Sequence, residues 1–228
     1  AQFDKFFDFF KKNIKIIDCT FNINESLRDK LEQIRVEAEI AVREGSKHLI
    51  LSDKKVSEKK AAIPMVLAIG AVNSKLIDLS IRGFASINVQ TSEALDTHSF
   101  AVLLGVGATV INPYLALDSI HQRYEKKLFE KLDFEDCVHR YIKSVDNGLL
   151  KIMSKMGISV LSSYRGGCNF EAVGLSRAVV ADFFPGMTSR ISGVGIYGIE
   201  EKIKKLHKKA FQKNVSILPI GGIYKYRK

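Results

Sequence analysis

Short β-prone runs alternate with helical segments through the first half of the chain, and this alternation constrains the fold more than any other feature. Lys15 to Phe21 reads as a strand, broken by the turn formers Asn22 to Glu25. Ser26-Leu27-Arg28-Asp29 is a capping box. It opens a helix whose apolar positions Leu27, Leu31, Ile34, Ala38 and Val42 recur every three or four residues, and Gly45 ends that helix. His48 to Asp53 is a short apolar run of the kind buried on both faces in a parallel sheet. The cycle then repeats. Pro64 opens a largely apolar helix over Met65 to Leu79, Ser86 to Gln90 is a third strand, and Thr97 to Gly105 is a helix. Thr109 to Pro113 is a fourth strand, closed by a proline with no amide to donate. The pattern predicts an α/β fold: a parallel sheet with alternating helices and right-handed crossovers, either doubly wound or barrel-like.

The flanking segments are helical or turn-rich. Phe3 to Lys12 spaces its phenylalanines as an amphipathic helix. Tyr114 to Glu130 and Phe134 to Met156 carry few breakers, and Gly157 stops the second run before Ile158 to Ser162, a fifth strand candidate. Short helices and glycine-rich turns follow Tyr164, then a lysine-rich helix around Glu201 to Phe211, the apolar run Val215 to Pro219 and a basic tail. With 228 residues, 46% of them hydrophobic, the chain can bury one large core. It carries no apolar stretch of membrane length and no signal-peptide block, which predicts a soluble, cytoplasmic domain without a membrane partner. The net charge of +10 raises the question of nucleic acid. Much of the excess lies on the lysine-rich helix opposite Ile203, Leu206 and Ala210, which reads as a solvated face rather than a nucleic-acid surface.

The search for chemistry returns mainly negatives. Gly193-Val194-Gly195-Ile196-Tyr197-Gly198 spells GxGxxG, but a dinucleotide loop needs a strand directly before it and an acid some 20 residues on; neither is evident, and a flexible linker is the competing reading. No GxxxxGK[ST] occurs. The five histidines form no HExxH or HxxxH pair, and Cys137 and His139, two apart on a helix, face different ways. Cys19, Cys137 and Cys168 are too scattered for a disulfide framework or a metal clip. Asp53 and Asn112 sit at strand C-terminal ends, where α/β proteins place their sites; turn formation or helix capping accounts for them equally.

Several long runs resemble the central domain of the glutamate synthase large subunit. Leu51 to Asp53, Ala62 to Val72, Gly105 to Ala108 and Asn112 to Ala116 appear in that family's order. Gly148 to Ser159 continues into Ser163 to Gly167 and Phe170 to Ser176, and Ser189 to Gly195 is similar to the family's glycine-rich segment. Two places depart from it: Val72-Asn73-Ser74-Lys75 stands where a histidine cluster is common, and Gly167-Cys168-Asn169 replaces Ala-Gln-Ile.

The resemblance implies a domain cut out of a longer enzyme. Its fold would be a modified or incomplete (β/α) barrel related to FMN-linked oxidoreductase barrels, without flavin of its own. Its partners would be a glutaminase domain and an FMN-binding synthase domain of the same chain, and a small subunit that delivers electrons from NADPH. FMN and a 3Fe-4S cluster would belong to the synthase part. The parent enzyme makes glutamate from glutamine and 2-oxoglutarate, passing ammonia through an internal channel. The chain begins Ala1-Gln2 where the glutaminase would carry a nucleophilic cysteine, and its three cysteines lie too far apart for the cluster. No catalytic, cofactor or metal residue is therefore expected within residues 1–228, of which about 185–228 would begin the linker to the synthase domain. Lys155, Met156, Gly157, Ser162, Tyr164, Arg165 and Gly166 are the candidates for channel or interdomain contacts, the glycines for close backbone approach and Arg165 for pairing with an acid. A stand-alone flavin or sugar-phosphate barrel enzyme and a basic nucleic-acid or partner-binding module are the alternatives.

Overall fold

The computed structural model describes residues 2–129 and 131–212, with side chains from residue 5 onward. The run Val215 to Pro219 and the basic tail lie outside the described residues. Helix α1 (Gln2–Phe10) leads into β1 (Ile14–Asp18), and the rings of Phe6 and Phe10 stack on His48 with centroids 5.3 and 4.2 Å away.

The β-prone stretch ends as one strand at Asp18. The Asp18 carboxylate accepts hydrogen bonds from the Thr20 amide (3.1 Å) and hydroxyl (2.7 Å), an Asx turn that redirects the chain. Residues beyond it form a separate strand, β2 (Thr20–Asn22). This differs from the single strand over Lys15 to Phe21 that the sequence predicts, because β-propensity does not register a turn made by one side chain.

Ser26 caps α2 (Leu27–Arg43) by accepting from the Asp29 amide, as the capping box requires. Then follow β3 (His48–Ser52), β4 (Lys60–Ala62), α3 (Met65–Asp78), β5 (Ser86–Gln90), α4 (Thr97–Gly105) and β6 (Val110–Asn112). Strands β1, β3, β5 and β6 pair in parallel and in chain order, in register at Ile17, Leu51, Val89 and Ile111. Ile17, Leu49, Leu51, Ile87 and Val89 share one core with Leu31, Ile34 and Ala38 of α2, Leu67 and Ala68 of α3 and Leu103 of α4. Sequential order with right-handed crossovers puts these helices on one face of the sheet. The sheet does not close into a barrel among the described residues. Strands β2 and β4 pair antiparallel just past the C-terminal ends of β1 and β3.

Helix α5 (Tyr114–Glu125) ends short of the predicted Glu130, in turns that include Lys127 at φ +56°. Helix α6 (Phe134–Lys155) ends in a Schellman motif: the Gly157 amide donates to Ser154 O and the Ile158 amide to Met153 O, with Gly157 at φ +69°. That motif consumes Ile158, so the predicted fifth strand does not form. Residues Leu161–Tyr164 instead make one helical turn, α7.

Strands appear later, where turns are predicted. β7 (Glu171–Leu175) and β8 (Thr188–Val194) pair in parallel around α8 (Arg177–Phe183), and α9 (Ile196–Ala210) follows. Two register shifts and Gly174 at φ +75° break the alternation that would have revealed β7. Among the described residues, no helix is long and apolar enough to cross a membrane.

Candidate functional site

In open α/β sheets, ligands bind at the carboxyl ends of the strands, against helix N-termini that offer free amides. Here that end is occupied by the protein's own side chains. Asp53, fully buried, accepts from the Thr91 hydroxyl (2.8 Å) and from the Ser92 amide (2.9 Å) and hydroxyl (3.2 Å). It therefore ties the end of β3 to the loop after β5, a role distinct from capping a helix. Asn112 contributes its main-chain oxygen to the Thr91 amide. The Glu93 carboxylate takes the first amide of α3, Met65 N, at 2.7 Å, and burial holds its carboxyl above the usual range. Glu200 of α9 takes the first amide of α2, Leu27 N, at 2.9 Å, and Asp96 caps α4. Burial first, then the neighbouring Asp53, pushes the Tyr114 phenol up to about 12. The amides that would cradle a phosphate on α2 and α3 thus already hold carboxylates.

The GxGxxG segment needs a correction. β8 runs directly into it and α9 directly out of it, so the strand that the sequence did not reveal is present. Two of its three glycines are packing devices: a Cβ on Gly193 would collide with the Gly174 main chain of β7, and one on Gly198 would come within 2.6 Å of Val194 Cγ1. The missing acid still separates the segment from a dinucleotide loop, since residues 203–212 contain none.

The seven residues singled out for interdomain contact fall on one continuous stretch, from the last residue of α6 through α7 to Gly166. Lys155 ends the helix; Met156, 42% exposed, and Gly157 form its cap. Ser162 is exposed on α7, whereas Tyr164 is 1% exposed, packed with Ala101, Leu104 and Met153 and edge-on to Phe170 at 6.4 Å. Tyr164 is thus packed into the core of the described fold. The Gly166 amide donates to Gly105 O at 2.9 Å, fixing the loop to the end of α4, and Arg165 Nη1 donates to Thr109 Oγ1 at 2.9 Å. Gly157 and Gly166 both have φ near +70° with open space where a Cβ would stand. Both have the left-handed backbone that favours glycine; within the chain the close approach is at Gly105, with the Phe170 ring lying over it.

A second guanidinium lies beside Arg165. Arg82 Nε donates to Asn73 Oδ1 (2.7 Å), Nη1 to Ala85 O (2.6 Å) and Nη2 to Gly107 O (3.0 Å). Gly107 and Thr109 belong to the same turn between α4 and β6, so one turn holds both arginines. Burial, then the charge of Arg165, lowers the pKa of Arg82. Nothing in the sequence around Ile81-Arg82-Gly83-Phe84 beyond a turn signal points to this pairing.

Cys19 and Cys137 are buried, Cys168 is exposed, and all three are free. Burial, and to a lesser degree the charges of Asp18 and Asp53, raises the Cys19 thiol far above its ordinary value. Among the described residues, no three His, Cys, Asp or Glu side chains converge as metal ligands.

The family described as glutamate synthase central domain matches residues 2–176. The chain is 52% identical over 231 aligned residues to the glutamate synthase [NADPH] large chain of Azospirillum brasilense, covering 100% of this chain and 15% of that one. It is 40% identical over 212 residues to the corresponding large chain of Bacillus subtilis, covering 92% and 14%. It is 38% identical over 215 residues to ferredoxin-dependent glutamate synthase 2 of Synechocystis, covering 89% and 14%. The chain therefore spans about one seventh of the length of these relatives.

Proposed function

Because the chain belongs to the glutamate synthase central-domain family, we propose that it is the connecting domain of an oxidoreductase that makes glutamate from glutamine and 2-oxoglutarate. It holds a glutaminase domain and an FMN-binding synthase domain of the same polypeptide in place, and contributes wall to the path that ammonia takes between them. The observation that carries this reading is where polar groups are used. The end of the sheet where an active site would lie is tied up internally by Asp53, Glu93 and Glu200, while the segment from Lys155 to Gly166 is pinned at Gly105 and Thr109 and leaves Arg165 with a single hydrogen bond.

The finer assignments follow from the same premise. The sequential parallel sheet with helices on one face is an incomplete (β/α) barrel related to FMN-linked oxidoreductase barrels. Residues of this chain do not fit a flavin phosphate on α2 or α3, whose first amides are taken by glutamates, so FMN belongs to the synthase domain, and a 3Fe-4S cluster, for which Cys19, Cys137 and Cys168 are too scattered, belongs there with it. Electrons come from NADPH through a small subunit, and the enzyme is cytoplasmic. Residues from about 185 begin the passage toward the synthase domain, with β8 and α9 as its first elements. In the complete enzyme, Arg165→Ala should uncouple glutamine hydrolysis from glutamate formation, read as excess ammonia released per glutamate made. Tight coupling in that variant would sink the channel assignment.

A further inference from the structure

Arg82 and Arg165 hang from one turn, and neither forms an ion pair with any described acid. Arg82 bonds only neutral acceptors: the Asn73 amide oxygen and the carbonyls of Ala85 and Gly107. Arg165 bonds the Thr109 hydroxyl. A guanidinium offers five N–H donors. Arg82 has three hydrogen bonds and Arg165 one, so both keep donors in hand beside each other. Two partly buried like charges without a counter-charge are a cost that the isolated chain bears. The other partly buried arginine with a carboxylate in reach takes it: Arg35 binds Asp182 at 2.8 Å. Residues 213–228 contain no Asp or Glu and so cannot neutralise the pair. Phe84, in the same turn as Arg82, is 71% exposed. An arginine pair next to an exposed aromatic has the composition of an interface centre rather than of a solvated surface.

We propose that Arg82 and Arg165, with Phe84 beside them, form a docking point for an Asp or Glu side chain carried by the part of the polypeptide outside residues 1–228. The inference rests on the reading of this chain as a connecting domain. Arg82 is the positioning half: three hydrogen bonds fix its fork, and it holds the turn that also carries Thr109. Arg165 is the reaching half, with one anchored nitrogen and the rest of its donors free for a bidentate carboxylate.

The test is a zero-length carbodiimide cross-link, which joins an amine to a carboxylate already in contact. In the complete polypeptide, Arg165→Lys should yield a cross-linked peptide joining position 165 to an Asp or Glu outside residues 1–228, and Arg82→Lys should give the same partner or its neighbour. Arg165→Gln should speed amide exchange in that partner peptide about tenfold, the loss of one charge-assisted contact. Cross-links from both lysine variants only to acids within residues 1–228, or none from either, overturn the proposal. So does saturable stabilisation of the 228-residue chain by inorganic phosphate that Arg82→Gln and Arg165→Gln abolish without any cross-link, since the pair would then serve a free anion. A cross-link with coupling still tight in Arg165→Ala would leave the docking point standing and remove the channel role. Uncoupling without a cross-link would do the reverse.

Discussion

Gly148 shows how packing alone can require a particular residue. It lies in the middle of α6 where α4 crosses, and a Cβ there would stand 2.5 Å from Thr97 Cγ2 and Oγ1 and 3.1 Å from Thr97 Cβ. A β-branched residue on the first turn of a helix cannot rotate both branches away, so the helices would have to part. Gly148→Ala gains up to about 1 kcal/mol of helix propensity but should lose about 1–3 kcal/mol to overpacking. The net effect is destabilisation in a denaturant titration, and a stability equal to or above that of the parent would refute the close-approach reading. Glu93 offers a second test. Its folded pKa is raised by burial, so between the ordinary glutamate value and that raised value the folded chain binds more protons than the unfolded one. Stability should therefore fall as pH rises through this window and stay level above it. Glu93→Gln, which keeps an acceptor for Met65 N, should flatten the decline; an unchanged profile from pH 4.5 upward would show that burial does not govern this group.

At the scale of elements, Arg35 joins two parts of the fold that the sheet does not connect. Its guanidinium reaches Ala71 O and Ser74 Oγ on α3, Asp182 Oδ1 and O on α8, and Glu32 on its own helix, and it lies 4.6 Å from the Phe183 ring centroid. Gly70 of α3 allows that contact, since a Cβ there would meet Phe183 O and the Phe184 ring at 2.6 Å. Arg35→Ala should cost about 2–4 kcal/mol and release β7, α8 and β8 before the four-stranded sheet. Hydrogen exchange would show this as faster exchange over residues 171–194 with little change in β3 and β5; uniform acceleration would mean that the clamp is not local. The same arrangement explains what the sequence could and could not disclose. β3 is a short apolar run that follows the glycine stop at Gly45, and β5 alternates Ile87 and Val89 with polar residues, so their positions are legible. β1 also is, except for its end, which one Asx turn at Asp18 decides. The Ile158 strand fails because Gly157 commits Ile158 to a helix cap, and β7 and β8 are hidden because bulges and glycines erase their period.

At the scale of the whole molecule, only family resemblance marks the seven candidates between Lys155 and Gly166; their residue types carry no chemistry of their own. Arg82, 83 positions before Arg165 in the chain, carries no local signal, because its significance arises only when one turn holds both guanidiniums. Charge shows the same gap between composition and placement. The chain has 35 Lys and Arg against 25 Asp and Glu, a balance that invites a nucleic-acid reading. Yet many of these cations are engaged within the fold: Lys15 with Glu37, Arg43 and Lys75 with Glu39, Lys55 and Lys60 with Asp18, and Lys204 with Glu200. On α9, Lys202, Lys205, Lys208 and Lys209 are exposed, with Leu206, 57% exposed, among them and Glu201 at their head. Four cations on one helix give a weak site that salt screens. Fluorescence anisotropy with a short random duplex should detect binding only at low ionic strength, with no affinity tighter than about 10⁻⁴ M at ~0.15 M salt. Saturable micromolar binding there, with a log–log salt slope near −4 lost on replacing these four lysines, would make the helix a nucleic-acid surface and reopen the partner assignment.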